Sequence, residues 1–146
     1  MPTLKEIAAQ GDKRQTVVRE ACTVLDQEVA DKSGVTGLAI KGAYKIVQGV
    51  KPGFVPEVVD HLLDDFLDAL DPLYQEALEQ QKKPSVHLVE QKGRMADALL
   101  AITDKRAENA QRKAIKKAYE KLRPSAKKHV EAAAPRLGEM LDRHAP

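Results

Sequence analysis

The sequence predicts an all-α protein, a compact bundle of about five to seven helices in a single domain over residues 1–146. Of the 146 residues, 42% are hydrophobic and 32% are charged, a balance typical of a globular domain. Ala and Leu number 20 and 15, so strong helix formers make up about a quarter of the chain. Apolar residues also recur at three- and four-residue spacing along most of the sequence, which is the pattern of amphipathic helices.

The first two helices are predicted from capping residues and one apolar stripe. Thr3 followed by Glu6 forms a capping box, and Gly11 ends the short first helix. Asp12 with Gln15 repeats the capping pattern for a second helix. The apolar stripe of this second helix consists of Val17, Val18, Ala21, Val24, Leu25 and Val29.

The third helix, over about 37–50, is apolar on nearly every side and follows a break at Ser33-Gly34. Its only polar strip is narrow and contains Lys41, Lys45 and Gln48. Because a helix that is apolar all round is normally buried, we expect 37–50 to be the central helix of the bundle. Close packing against neighbours is expected at its small residues, which are Gly37, Gly42 and Gly49.

The remaining helices are separated by turns and prolines. A turn at 51–54 precedes a strongly amphipathic fourth helix, which we expect to kink or restart at Pro72. A polar connector at 80–83 follows, and the helical spacing over 85–123 fits either one long helix or two. Two further prolines are expected to mark kinks or helix starts, at Pro124 and Pro135.

Three runs in the first half of the chain carry a resemblance to a known family. They are Gly37–Tyr44 (GLAIKGAY), Val50–Pro56 (VKPGFVP) and Leu62–Pro72 (LLDDFLDALDP). Over about Leu4–Leu78 the chain resembles a family of small, uncharacterised bacterial proteins, mainly of the actinobacterial type. The resemblance implies a helical, cytoplasmic bacterial protein and supplies no catalytic residue. It is not traced beyond Lys82.

Composition argues against several classes of function. Five aromatic residues and no Trp are too few for base-stacking modules. The single cysteine, Cys22, cannot form an internal disulfide and is expected to be a small, buried and inert side chain. There is no Gly-rich phosphate loop, so we expect no nucleotide and no other cofactor. Mean hydropathy is −0.45, and neither a membrane-spanning run nor a secretory signal is recognisable, so we expect a cytoplasmic protein.

Charge is divided unevenly along the chain. Residues 1–80 carry 8 Lys and Arg against 14 Asp and Glu, whereas residues 81–146 carry 16 against 8. The stretch 57–79 holds eight acidic residues and no Lys or Arg, and the stretch 104–128 holds ten basic residues. Such asymmetry favours either contact with nucleic acid or pairing of the two charged parts within or between molecules.

A row of cations in the basic half is the candidate nucleic-acid site. Helical spacing places these side chains along two edges of one helix, where they could follow phosphates in a salt-sensitive, sequence-independent way. The alternative is a solubilising helix surface, and membrane binding is not expected because the opposite face is mostly Ala. The row consists of Arg112, Lys113, Lys116, Lys117 and Lys121.

One acidic run matches a catalytic motif. Asp64, Asp65 and Asp68 spell the DDxxD pattern of isoprenyl diphosphate enzymes, in which carboxylates hold magnesium ions against a diphosphate. The chain is short for such an enzyme and has no second aspartate-rich motif, so a solvated acidic face is favoured. His61 with Glu57 or Asp65, at four-residue spacing, could supply two metal ligands, but a stable site needs three or four. All four histidines are therefore expected on helix surfaces: His61, His87, His129 and His144.

These observations favour a non-enzymatic protein that works through protein contacts, either as a homo-oligomer or with another partner. The alternative is weak, sequence-independent association with nucleic acid through the basic half. The least favoured hypothesis is a magnesium-dependent enzyme that uses Asp64, Asp65 and Asp68. No membrane association is expected.

Overall fold

The computed structural model describes residues 2–145 and confirms the all-α prediction. In that range the chain forms eight helices, rather than five to seven, and no strand. The C-terminal half is divided into more helices than the sequence pattern indicates. The helices are α1 (Leu4–Ala8), α2 (Lys13–Asp31), α3 (Gly34–Gln48), α4 (Phe54–Glu79), α5 (Pro84–Glu90), α6 (Lys92–Glu108), α7 (Lys113–Ala132) and α8 (Ala134–His144).

Helix α4 forms the centre of the bundle and contacts α1, α2, α5 and α6. It runs through Pro72 without restarting. An internal proline removes a backbone hydrogen bond and costs about 3 kcal/mol. Burial of bulky side chains on both sides of Pro72 offsets that cost. The buried residues of α4 are Val55, Leu63, Leu67, Leu70, Leu73, Tyr74 and Ala77.

The N-terminal segment is fastened to α4 by capping hydrogen bonds. Thr3 Oγ1 accepts from the Glu6 backbone N–H at 3.1 Å, which confirms the predicted cap of α1. The Leu4 N–H, at the start of α1, donates to Asp71 Oδ1 at 3.0 Å. A side chain from the middle of α4 therefore binds a free N–H group of the first turn of α1. Asp12 occupies the predicted N-cap position of α2, but its side chain makes no capping hydrogen bond.

The predicted central position of helix 37–50 is wrong. The observed helix, α3, lies at the surface against α2, α4 and α7, and Gly37 is its one buried residue. Val35 and Leu38 are 87% and 74% exposed. Gly37 is needed for a local reason, since an added Cβ would lie 2.7 Å from the backbone carbon of Lys32 in the preceding turn. The apolar residues of α3 predicted a buried helix. The central position is instead taken by α4, whose bulky apolar side chains lie along one side.

The stretch 85–123 is divided among three helices rather than one or two. A break at Gln91 separates α5 from α6, a second break precedes α7, and α7 then continues through Pro124. Pro135 lies in the first turn of α8, as predicted. Helix α8 returns to pack on α5 at Gly138, where an added Cβ would lie 2.7 Å from the Ser85 Cα.

Candidate functional site

The aspartates of the DDxxD motif are each paired with a different cation. Arg14 Nη1 donates to Asp64 Oδ1 at 2.7 Å, and the neighbouring Asp60 accepts from the same guanidinium. Asp68 pairs with Lys5 at 3.4 Å, and Asp65 pairs with Arg106 at 3.5 Å. Among residues 2–145, no group of three or more His, Cys, Asp or Glu is arranged to hold a metal ion. The acidic side of α4 is thus neutralised within the molecule, one carboxylate at a time.

His87 is buried, so the prediction that all histidines lie on helix surfaces is wrong. Its side chain is held from α5 against α4, with His87 Nε2 2.9 Å from Glu76 Oε1. Arg94 donates to both oxygens of Glu76, at 2.9 and 2.8 Å. Hydrogen bonds from Arg94 and then from His87 lower the pKa of Glu76 from its usual 4.5 to about 2. This cluster is a link between α4, α5 and α6.

Two nucleophile-type side chains share one carboxylate and are not activated by it. The Tyr44 hydroxyl donates to Asp26, and burial followed by Asp26 raises the pKa of Tyr44. Burial and then Asp26 also raise the pKa of the Cys22 thiol. Since the thiolate is the reactive form of cysteine, a raised pKa agrees with the predicted inert thiol.

The predicted basic row lies along the solvent-facing side of α7. Arg112, at the start of that helix, and the lysines of the row are all exposed. Within the part of the chain that the structure describes, none of them forms an ion pair, whereas Arg123 on the same helix pairs with Asp104 at 2.7 Å. The row therefore presents unneutralised charge to solvent. It consists of Arg112, Lys113, Lys116, Lys117 and Lys121.

An apolar stripe on α3 faces solvent. Val35, Leu38 and Ile46 are 87%, 74% and 47% exposed, and all lie within one arc of the helix. Gly42 lies between them, and a Cβ built there would meet nothing within 4 Å. We call this surface the α3 stripe. Contiguous exposed apolar surface of this kind is typical of interaction sites.

A large, partly open apolar cavity lies between α2, α4, α7 and α8, and residues of α1 and α6 also contribute to its lining. Its volume is about 520 Å³, within the range of small-molecule pockets. Its walls are apolar side chains, including Val24, Leu63, Leu67, Ala126 and Leu137. We call this space the central cavity.

The cavity is partly open, and we infer an entrance on the side of α2, α3 and α7 from the exposure of wall residues there. Leu25 is 36% exposed, and Ile40 and Leu122 are half-buried, although all three line the cavity. Ile40 is the residue that α3 contributes to the wall. Long apolar side chains therefore surround an entrance rather than a sealed void.

Most polar groups at the cavity wall already have partners. Tyr119 donates to Asp104 at 2.5 Å, and Lys13 Nζ donates to the His144 carbonyl at 2.8 Å. His129 differs, because its Nε2 is buried and has no hydrogen-bond partner in the described residues. Burial and then the charges of Lys32 and Lys128 lower the pKa of His129. Buried polar atoms are usually hydrogen-bonded, so this nitrogen could bind a polar group that enters the cavity.

Sequence reasoning did not find the central cavity. The feature of the sequence that could have indicated it is the presence of small residues on facing helices, since Ala21, Ala126 and Ala133 all line the cavity. Alanine continues a helix without filling the volume between helices, so helical periodicity alone cannot distinguish a packed interior from a hollow one.

Comparison with known proteins places the chain in a family. The model of the DUF6918 family, a family of unknown function, matches residues 4–145, and the chain belongs to that family. The expectation of a family without an assigned activity is therefore confirmed, and the match continues through the C-terminal half, where the resemblance was not traced. A bacterial, actinobacterial-type origin stays a prediction. No curated protein and no solved structure matches the chain.

Proposed function

We propose that this member of the DUF6918 family is a non-enzymatic protein-interaction module that pairs with a second copy of itself through the α3 stripe. The observation that carries the proposal is the exposure of Val35, Leu38 and Ile46 on one helical face. Burying a side chain of this size is worth about 1.5–3 kcal/mol. Covering the stripe with another apolar surface would recover that free energy.

The stripe is symmetric in sequence about Gly42, which favours a second copy as the occupant. Leu38 and Ile46 lie four residues to either side of Gly42, and Val35 and Gly49 lie seven residues to either side. A two-fold axis through Gly42 would set Leu38 opposite Ile46 of the other copy and Val35 opposite Gly49. Two-fold interfaces need a self-complementary patch of this kind. The absence of a side chain at Gly42 would let the two helices approach closely.

Charge supports the same arrangement. Around that axis Lys41 would face Ala43, and Lys45 would face Ala39, so like charges would not meet. Pairing of acidic and basic faces between copies is less favoured, because the acidic side of α4 is already occupied by cations such as Arg14. The apolar stripe is therefore the better candidate contact.

A disulfide placed on the proposed axis tests the arrangement. In a Cys22→Ser background, Gly42→Cys should form a covalent dimer on mild oxidation, because the two copies of residue 42 would adjoin each other. Thr36→Cys is the matched control, since residue 36 is exposed on α3 but lies off the stripe. Dimer yield from Gly42→Cys that is no greater than from Thr36→Cys would contradict the proposal.

Sedimentation supplies a second test without new cysteines. Leu38→Lys should shift the protein to a monomer with unchanged helix content, since Leu38 makes few intramolecular contacts at 74% exposure. Val86→Lys changes an exposed apolar residue of α5, at 48% exposure, and should remain dimeric. A wild-type chain that stays monomeric at high micromolar concentration would rule out self-association.

A second candidate function is sequence-independent contact with nucleic acid through the basic row. The specific observation in its favour is that these cations are exposed on α7 and form no ion pair within residues 2–145. With about four to six phosphate contacts, log affinity for random duplex should fall against log salt with a slope of roughly −4 to −5. Replacing Lys113, Lys117 and Lys121 with Gln should reduce that slope by about three. Absence of any duplex shift at low salt would remove this candidate.

A further inference from the structure

We propose that the central cavity binds a fatty acid, with the alkyl chain inside the bundle and the carboxylate at His129. The proposal is independent of self-association through α3. It rests on the size of the cavity, on the chemistry of its wall and on one unpartnered nitrogen.

The volume of the cavity and its apolar lining fit a single alkyl chain. A water molecule takes up about 30 Å³ of liquid, so 520 Å³ corresponds to about 17 groups of that size. An alkyl chain of about 12 to 16 carbons fits such a space, because a methylene group is similar in size to a water molecule. The wall is formed by aliphatic side chains of α2, α4, α7 and α8, which offer dispersion contacts and few competing hydrogen bonds.

The position of the headgroup follows from the polar atoms at the wall. The hydroxyl of Tyr119 and the ammonium of Lys13 form hydrogen bonds, whereas His129 Nε2 is buried and has no partner among residues 2–145. A carboxylate at that point could accept a hydrogen bond from the Nε2–H group. Lys32 and Lys128 lie near enough to His129 to act on it electrostatically, and both would attract the negative charge.

One acidic residue, Glu28, lines the cavity and could repel a bound carboxylate. However, it accepts from both Lys32 and Arg136, so its charge is shared between two cations. The surroundings of His129 therefore stay favourable to an anion. The entrance beside Leu25, Ile40 and Leu122 gives the alkyl chain a route from solvent.

The first experiment measures binding to purified, delipidated full-length protein with cis-parinaric acid, a fluorescent fatty acid. Fluorescence should rise on binding, and palmitic acid should displace the probe. Ala126→Phe should abolish binding while helix content is kept, because the ring would occupy the cavity that Ala126 lines. Ala114→Phe, on the exposed side of the same helix, is the matched control and should bind as the wild type does.

The second experiment tests the headgroup. Wild-type protein should prefer palmitic acid to its methyl ester by about tenfold, the effect of one hydrogen bond to a charged group. His129→Phe keeps a ring of similar size, and should reduce that preference while the affinity for the methyl ester stays the same.

Three outcomes would overturn the proposal. They are no probe binding by the wild type, unchanged binding by Ala126→Phe, and equal loss of binding in Ala126→Phe and Ala114→Phe. A preference for the acid that is as large in His129→Phe as in the wild type would overturn the placement of the carboxylate. Neither experiment depends on the oligomeric state, so failure of the α3 contact and failure of the cavity assignment are distinguishable.

Discussion

Helices α3 and α4 are neighbours in the chain and are both rich in apolar residues, but α3 lies at the surface of the bundle and α4 at its centre. Helix α4 buries seven residues, whereas α3 buries Gly37 alone. The apolar side chains of α4 are bulky and lie on one side, with acidic residues on the other, while those of α3 are spread around the helix among glycines. One-sidedness and side-chain bulk, rather than apolar content, therefore decided which helix lies inside.

The largest effect is expected in the core of α4. Leu73 is 4% exposed, and Leu73→Ala should lower the free energy of unfolding by about 2–5 kcal/mol through lost burial and a new cavity. Urea denaturation followed by circular dichroism would measure the change. A loss below about 0.5 kcal/mol would show that α4 is not the centre of the bundle.

A glycine in a packed contact should be less replaceable than a glycine on α3. Gly138→Ala would bring a methyl group against the Ser85 backbone and should cost about 1–3 kcal/mol of stability, more than the helix propensity it gains. Gly42→Ala meets no atom within 4 Å and should stabilise the dilute monomer by about 0.5–1 kcal/mol. Thermal melts of the two variants would compare them directly, and equal shifts would contradict the assignment of the α5–α8 contact.

The cluster of His87, Glu76 and Arg94 should make stability depend on pH at the acidic end. The folded-state pKa of Glu76 is about 2, below its usual 4.5. Its contribution is therefore complete above about pH 4.5 and is lost as pH falls toward 2. Glu76→Gln should flatten the stability profile in that window, and Glu79→Gln, which changes an acid of the same helix, is the control. Identical profiles for the wild type and Glu76→Gln would contradict this account.

The smallest effect is expected on α3. Leu38→Ala, the same substitution as in the core, should change the stability of the monomer by no more than about 0.5 kcal/mol, because Leu38 is 74% exposed. The measurement is a urea titration at a protein concentration low enough to prevent pairing. A loss of stability as large as that of Leu73→Ala would show that Leu38 is buried and that α3 lies in the core, as its apolar sequence predicts.

The local features of the protein follow from short stretches of its sequence. The cap at Thr3, the amphipathic stripe of α4 and the helix start near Pro135 depend on residues within a few positions of one another, and all three were predictable. That the cations of the basic row share one side of α7 was predictable for the same reason, because their spacing along the helix fixes which of them lie on the same face.

Which helix faces meet depends instead on long-range packing. The exposed position of α3, the pairing of the DDxxD aspartates with Arg14, Arg106 and Lys5, and the burial of His87 all depend on contacts between residues distant in sequence. The central cavity is the clearest case, since helical periodicity reports the direction of a side chain and not the distance to the opposite wall. That distance is fixed when helices pack, and alanine-lined faces can pack with a space between them.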